Sequence, residues 1–224
     1  MKYTLNIKRS LQRPPHNTPP QACPDASCRA IAPERRIKLV LRAAPGEVAW
    51  HIALKILGYL LFMEYEPRIE EGIGWHYKPD LVSLDDHGAL RLWVDCGNIA
   101  VRKIDRVAQK VGPDAPFVIL RRSHRDALLL AQSLDKMRFP ERVHILSFEK
   151  GFVDAFADAL DATNQIQTRI SLHPTSAPQS RMTADCAASS DVYPSVTHMA
   201  AIALQVSNRK GDSTLSSAIT LQKP

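Results

Sequence analysis

The chain switches between two hydrophobic periods, and their order predicts a fold. "RIKLVLR" (36–42) alternates apolar and polar residues as a strand does. "APGE" (44–47) reads as a turn that opens a helix, with Glu47 in the first turn, where negative charge suits the helix dipole. Beyond it Val48, Ile52, Ile56, Tyr59 and Met63 recur at helical spacing, which predicts an amphipathic helix packed on a sheet. "DLVSL" (80–84) and "LRLWVDC" (90–96) are strand-like, and "DDHG" between them is a hairpin turn signal. "IEEGIGWHYK" (69–78) supplies either a third short strand or a crossing loop.

"GNIAVRKIDRVAQKVG" (97–112) predicts a helix with Asn98 as N-cap, Gly112 as stop and an apolar stripe of Val101, Ile104, Ala108 and Val111. "PFVIL" (116–120) is a continuous apolar run, typical of a strand buried on both faces. A helix over 124–137, a strand over 142–148 and a helix over 151–162 complete the pattern. The order β-α-β-β-α-β-α-β-α places the chain in the α/β class, with a mixed central sheet flanked by helices. Three regions are expected: a disordered basic and Pro-rich arm over 1–35, a folded domain over 36–163, and a mostly disordered tail over 164–224. Within that tail only "SVTHMAAIALQV" (195–206) has the pattern of a segment that packs.

Charge changes this picture little. The net +6 resides in the ends: residues 1–36 hold seven Lys/Arg against two Asp/Glu, whereas residues 37–164 hold 17 against 18. Basic tails in solvent account for that distribution without any partner. No apolar run approaches the roughly 18–20 residues needed to span a bilayer, and the first residues lack the apolar stretch of a secretory signal, so a cytoplasmic protein without a membrane segment is expected. Cys23 and Cys28, with His16 nearby, resemble half a zinc site, but no second pair follows at the right spacing, and incidental thiols explain them better. "GIGW" (72–75) lacks the strand-turn-helix context of a dinucleotide fingerprint, and the histidines show no ligand spacing.

The chemistry lies in the hairpin. With "DDHG" at the turn, Asp80 and Asp95 sit near its two open ends, where neighbouring strands bring residues together. Carboxylates so placed can hold Mg²⁺ or Mn²⁺, which accept oxygen ligands and promote phosphodiester cleavage. They can equally cap the Lys-Pro turn and the following helix with no metal involved. Between Arg102 and Arg125 lie seven basic residues, including Arg102, Lys103, Arg106, Lys110, Arg121 and Arg122. On one side of the fold these would cradle a phosphate backbone of DNA or RNA without reading sequence; scattered, they are surface charge.

Pro79-Asp80, a strand, a turn, a strand ending in Asp95 and then a helix resemble the PD-(D/E)xK nuclease superfamily. More closely, residues 37–148 resemble the YaeQ family, through Pro45-Gly46-Glu47 before the first helix, Trp93-Val94-Asp95-Cys96-Gly97 on a strand, and Arg102-Lys103-Ile104 on the next helix. The resemblance implies a restriction-endonuclease-like core, with Glu47 as the helix-borne acid and Asp80 and Asp95 as the metal-binding pair. It departs at Gly97, where the superfamily carries a lysine that orients water or stabilises phosphate charge. Lys103, leaning back along its helix towards Asp95, is the expected replacement, with Arg102 and Arg106 as stand-ins. A catalytically inactive descendant that binds or regulates is the alternative implied by the missing lysine.

Overall fold

The computed structural model describes residues 1–12, 34–172 and 199–224. Ten strands form one sheet: β1 (Lys2–Gln12), β2 (Arg35–Arg42), β3 (Arg68–Ile69), β4 (Leu81–Leu84), β5 (Leu90–Cys96), β6 (Phe117–Arg121), β7 (Val143–Phe148), β8 (Thr163–Leu172), β9 (Met199–Asn208) and β10 (Gly211–Gln222). Their spatial order is β2-β1-β8-β9-β10-β7-β6-β5-β4-β3. Four α-helices accompany them among the described residues: α1 (Ala49–Leu61), α2 (Val101–Lys110), α3 (His124–Leu134) and α4 (Phe152–Ala159). The fold is therefore mixed α/β with a large sheet.

The half from β7 to β3 follows the predicted order. β5, β6 and β7 run parallel, joined through α2 and α3, while β4 and β3 return antiparallel. α1 and α4 pack on one face with Leu81, Leu92, Val94, Leu120 and Leu146; α2 and α3 pack on the other with Trp93, Phe117, Ile119 and Ile145. Covered on both faces, β6 is apolar and buried from Phe117 to Leu120, as its sequence predicts. α1 is buried on nearly every side from Ile52 to Leu61. Its Gly58 allows this: a Cβ there would lie 2.9 Å from the Leu120 side chain and 3.1 Å from that of Leu81.

Two corrections apply to the ends. β1 lies within the arm expected to be disordered, and β8, β9 and β10 occupy most of the described tail. The rest of the arm and tail, and with it Cys23, Cys28 and Cys186, lies outside the described residues. The end strands extend the sheet and curl it around α1, since Tyr3, Leu5, Ile166, Ile170, Ile202 and Leu204 share a core with that helix. The curl brings β1 and β2 to the turn after α1: Arg9 bonds Glu64, and Arg35 donates to the Met63 carbonyl at 3.1 Å. From its other side the same turn is held by Ser83 of β4, which donates to the Tyr65 carbonyl.

α2 begins later than expected, with Ala100 rather than Asn98 at its N-cap, and Val101 stays exposed instead of joining the stripe. Among the described residues no helix is long and apolar enough to cross a membrane.

Candidate functional site

The hairpin ends where α1 begins. β4 and β5 pair Leu81 with Val94, so Asp80 and Asp95 stand opposite each other one step further on, and the Asp80 N–H donates to the Val94 carbonyl at 3.1 Å. The two carboxylates then part. Asp80 turns towards α1: its Oδ2 accepts from the Cys96 N–H at 2.7 Å, and its Oδ1 lies 3.6 Å from His51 Nε2 and 3.8 Å from Lys55 Nζ. Asp95 is fully buried, and its Oδ1 accepts from Lys103 Nζ on α2 at 2.9 Å. Lys103 also donates to the Lys78 carbonyl at 3.1 Å, which holds the ammonium against the chain leading into β4.

Around Asp80 a second set gathers that the sequence reading missed in part. His51 and Lys55 share one face of α1, and Glu47, four residues before His51, lies just ahead of the N-cap Val48 rather than in the first turn as expected. Lys55, only 2% exposed, bonds both Glu47 and Glu70. His51 Nδ1 lies 2.7 Å from Glu47, and its Nε2 lies 3.2 Å from the Cys96 carbonyl. Glu47 also accepts from the Ala44 N–H at 2.9 Å, which fixes the turn before the helix. Glu70 adopts a left-handed backbone (φ +53°), and its N–H donates to the Asp80 carbonyl at 2.8 Å. Three carboxylates thus meet one buried ammonium and one imidazole.

Each pKa follows from this packing. Burial alone would raise Glu47, but hydrogen bonds from Lys55, the Ala44 N–H and His51 outweigh it and hold the carboxyl below its ordinary value. Asp80 behaves likewise: burial is overcome by His51, the Cys96 N–H and Lys55, and its pKa is lowered. Burial would depress His51 and Lys55, yet Asp80 and Glu47 raise the imidazole, and Glu47, Glu70 and Asp80 raise the ammonium. Asp95 goes the other way, because its burial exceeds the help that Lys103 gives and Asp80 adds repulsion. Its Oδ2 has no hydrogen-bond partner among the described residues, and neither has Trp93 Nε1 on the same strand face. The indole favours the carboxylate's charge without reaching hydrogen-bond geometry. Cys96, alternating to the opposite face from Asp95, is a buried thiol pushed well upward by desolvation.

Gly97 has a steric reason. It adopts φ +76°, and a Cβ would lie 2.7 Å from the Trp50 ring, so a lysine does not fit there. Ammonium groups reach the acids from α1 and α2 instead. The legible signal for Lys55 was one lysine inside the otherwise apolar "IALKILGYLL".

The basic residues do not form one surface. Arg102, Arg106 and Lys110 are exposed along α2, with Lys110 resting over the Trp75 ring. Arg121 turns inward and donates to the Gly97 carbonyl at 2.6 Å. Arg122 stacks over Trp50 at 5.0 Å and pairs with Asp154 of α4 at 3.0 Å. His76 lies exposed in its loop against Tyr77.

As a metal centre the acids fit one mode and fail another. Among the described residues no three His, Cys, Asp or Glu side chains are grouped to hold an ion. Asp95 Oδ2, buried and unpartnered, and Asp80 Oδ1, loosely held, do suit a hard cation that takes one or two carboxylates and completes its shell with water and phosphate.

The comparisons with known proteins agree with this architecture. A family model described as YaeQ protein matches residues 33–180. Among solved structures, the YaeQ protein from Xanthomonas axonopodis pv. citri is 12% identical with a TM-score of 0.57, covering 100% of both chains. The YaeQ protein from Pseudomonas syringae is 9% identical with a TM-score of 0.58, covering 100% of this chain and 96% of that one. At such identities the structural likeness is one of fold alone. No curated protein matches the chain.

Proposed function

The chain belongs to the YaeQ family, and on that premise we propose that it is a nuclease-like phosphodiester hydrolase of the cytoplasm, acting on DNA or RNA with Mg²⁺ or Mn²⁺. This reading includes membership of the PD-(D/E)xK superfamily and its restriction-endonuclease-like core. One observation carries it. The backbones of Asp80 and Asp95 stand opposite each other across the open end of a hairpin, Asp80 shares His51 and Lys55 with Glu47, and two ammonium groups contact this acid set although position 97 has no side chain.

Asp80 and Asp95 would hold the cation, which supplies Lewis-acid stabilisation of the charge that develops during cleavage. Glu47, kept ionised by Lys55, His51 and the Ala44 N–H, is the base available to an attacking water. Lys103, with its one bond to Asp95 and one to a backbone carbonyl, is placed to turn towards a phosphate oxygen. Lys55, fully enclosed by carboxylates, keeps Glu47 and Asp80 in position. Incubation of the protein with Mn²⁺ and mixed DNA and RNA substrates tests this. The wild type is expected to cut, and Asp95→Ala to lose cleavage by a factor of at least about 10². Cleavage that survives Asp95→Ala would remove the proposed site.

A specific feature favours a second reading. Each acid already has a cation, and Asp80 and Asp95 engage helices on opposite faces of the sheet. A charge-compensated cluster of this kind suits a catalytically inactive fold that binds or regulates. Absence of cleavage by a folded wild-type protein under all divalent ions would support it.

A further inference from the structure

The face of the β2-β1-β8-β9-β10 half that the described residues leave uncovered carries a group of cations on adjacent strands, four of them without an acidic partner among those residues, and its composition argues for a partner. Along β1 the residues Tyr3, Leu5, Ile7 and Arg9 are buried, so Lys2, Thr4, Asn6 and Lys8 point the other way. The register aligns Lys2 with Arg42, Asn6 with Lys38 and Lys8 with Arg36 of β2. On the other side it aligns Asn6 with Gln165, Lys8 with Gln167 and Ser10 with Arg169 of β8. Gln205 and Ser207 of β9 continue the rows.

Six cations thus share one pleated face with amides and hydroxyls. The acids beside them are Glu34, which takes Lys8 at 2.9 Å and Arg36 at 3.0 Å, and Asp212 at the start of β10. Among the described residues Lys2, Lys38, Arg42 and Arg169 have no acidic partner. A shallow, open depression of about 470 Å³ lies in the middle, lined by Asn6, Lys8, Arg36, Lys38, Gln165 and Gln167.

Protection of an exposed edge explains part of this, because β2 ends the sheet and charged edge strands resist strand addition. It does not explain Lys2, Lys8 and Arg169, which sit on interior strands. We propose that this face docks the phosphate backbone of a duplex nucleic acid. Rows of cations interleaved with amides and hydroxyls supply ion pairs and hydrogen bonds to phosphate and sugar oxygens without reading bases. No aromatic side chain stands among these outward positions, so the stacking platform of single-strand binders is missing. The face lacks the broad apolar strip that inserts into a lipid surface. The surface is separate from the acid cluster and stands whether or not that cluster cleaves.

Fluorescence anisotropy with the full chain and a labelled mixed-sequence duplex, in EDTA, is the test. The wild type is expected to bind with a steep dependence on salt. The triple variant Lys38→Gln, Arg42→Gln, Arg169→Gln is expected to bind about tenfold more weakly or worse at low salt, with the slope of log K against log salt reduced by roughly 2–3. Each single substitution is expected to cost part of that, which keeps the series readable if the triple variant folds poorly by circular dichroism. Lys136→Gln with Lys150→Gln, exposed on the helix-covered half, is expected to bind as the wild type does. Unchanged affinity and slope in the triple and single variants would overturn the proposal. So would capture of phosphatidylserine vesicles or single strands in preference to duplex.

Discussion

One sheet serves two different halves. From β7 to β3 the strands are sandwiched between helix pairs, and the buried polar side chains on them are few. From β2 to β10 the strands bury one face and, among the described residues, leave the other uncovered, with many polar and charged side chains pointing outward. A charge enclosed in the first half must be matched at once, because desolvating it costs several kcal/mol. In the second half water screens each charge, so cations accumulate at little cost. Substitutions should therefore have very unequal effects in the two places.

The largest contrast is expected at Lys55. Lys55→Met leaves Glu47 and Glu70 facing each other without the enclosed ammonium, and loss of about 3–5 kcal/mol in urea unfolding is expected. Lys38→Gln on the open face should stay within about 0.5 kcal/mol. Equal losses at the two sites would erase the distinction. Next comes Gly97→Ala, which forces a Cβ into the Trp50 ring at a left-handed backbone position. A loss of about 1–3 kcal/mol in the same measurement is expected.

A smaller effect appears as pH dependence. His51 is raised in the folded state, so its contribution is fully present below the ordinary histidine value of about 6.5 and fades as pH rises through the higher folded value. Glu47 and Asp80 are lowered, so theirs is present above the ordinary carboxylate range and fades as pH falls through the lower folded values. Unfolding free energy should thus decline towards both acid and alkaline pH, and His51→Gln should flatten the alkaline limb while also weakening the acid limb, because His51 helps to lower Glu47 and Asp80. A variant that leaves the alkaline limb unchanged would show that His51 does not couple to the acids as its distances imply.

The sequence was readable where burial was two-sided or strictly periodic. "PFVIL" and the hairpin around "DDHG" declared themselves, and Asp80 and Asp95 fell opposite each other as strand geometry requires. β8 was not readable, because its inward row is Asn164, Ile166, Thr168 and Ile170, half polar, and its outward row is polar throughout. Such a strand has too little hydrophobic contrast to stand out from a solvated tail, and only pairing with β1 and β9 gives it order. Lys55 and Glu70 were hidden for a related reason. Their meaning depends on a contact between a helix and a loop fifteen residues apart in the chain, which no local pattern encodes. Lys103 was legible because it needed only the geometry of a single strand-to-helix step.

The central claim is that the end of the hairpin offers its acids to a divalent ion despite the lysines already present. Calorimetric titration of the folded chain with Mn²⁺, alongside Asp80→Asn and Asp95→Asn, tests this most directly. The account predicts saturable binding by the wild type that either substitution weakens at least about tenfold. No saturable heat at millimolar Mn²⁺, or binding that survives both substitutions, would contradict it.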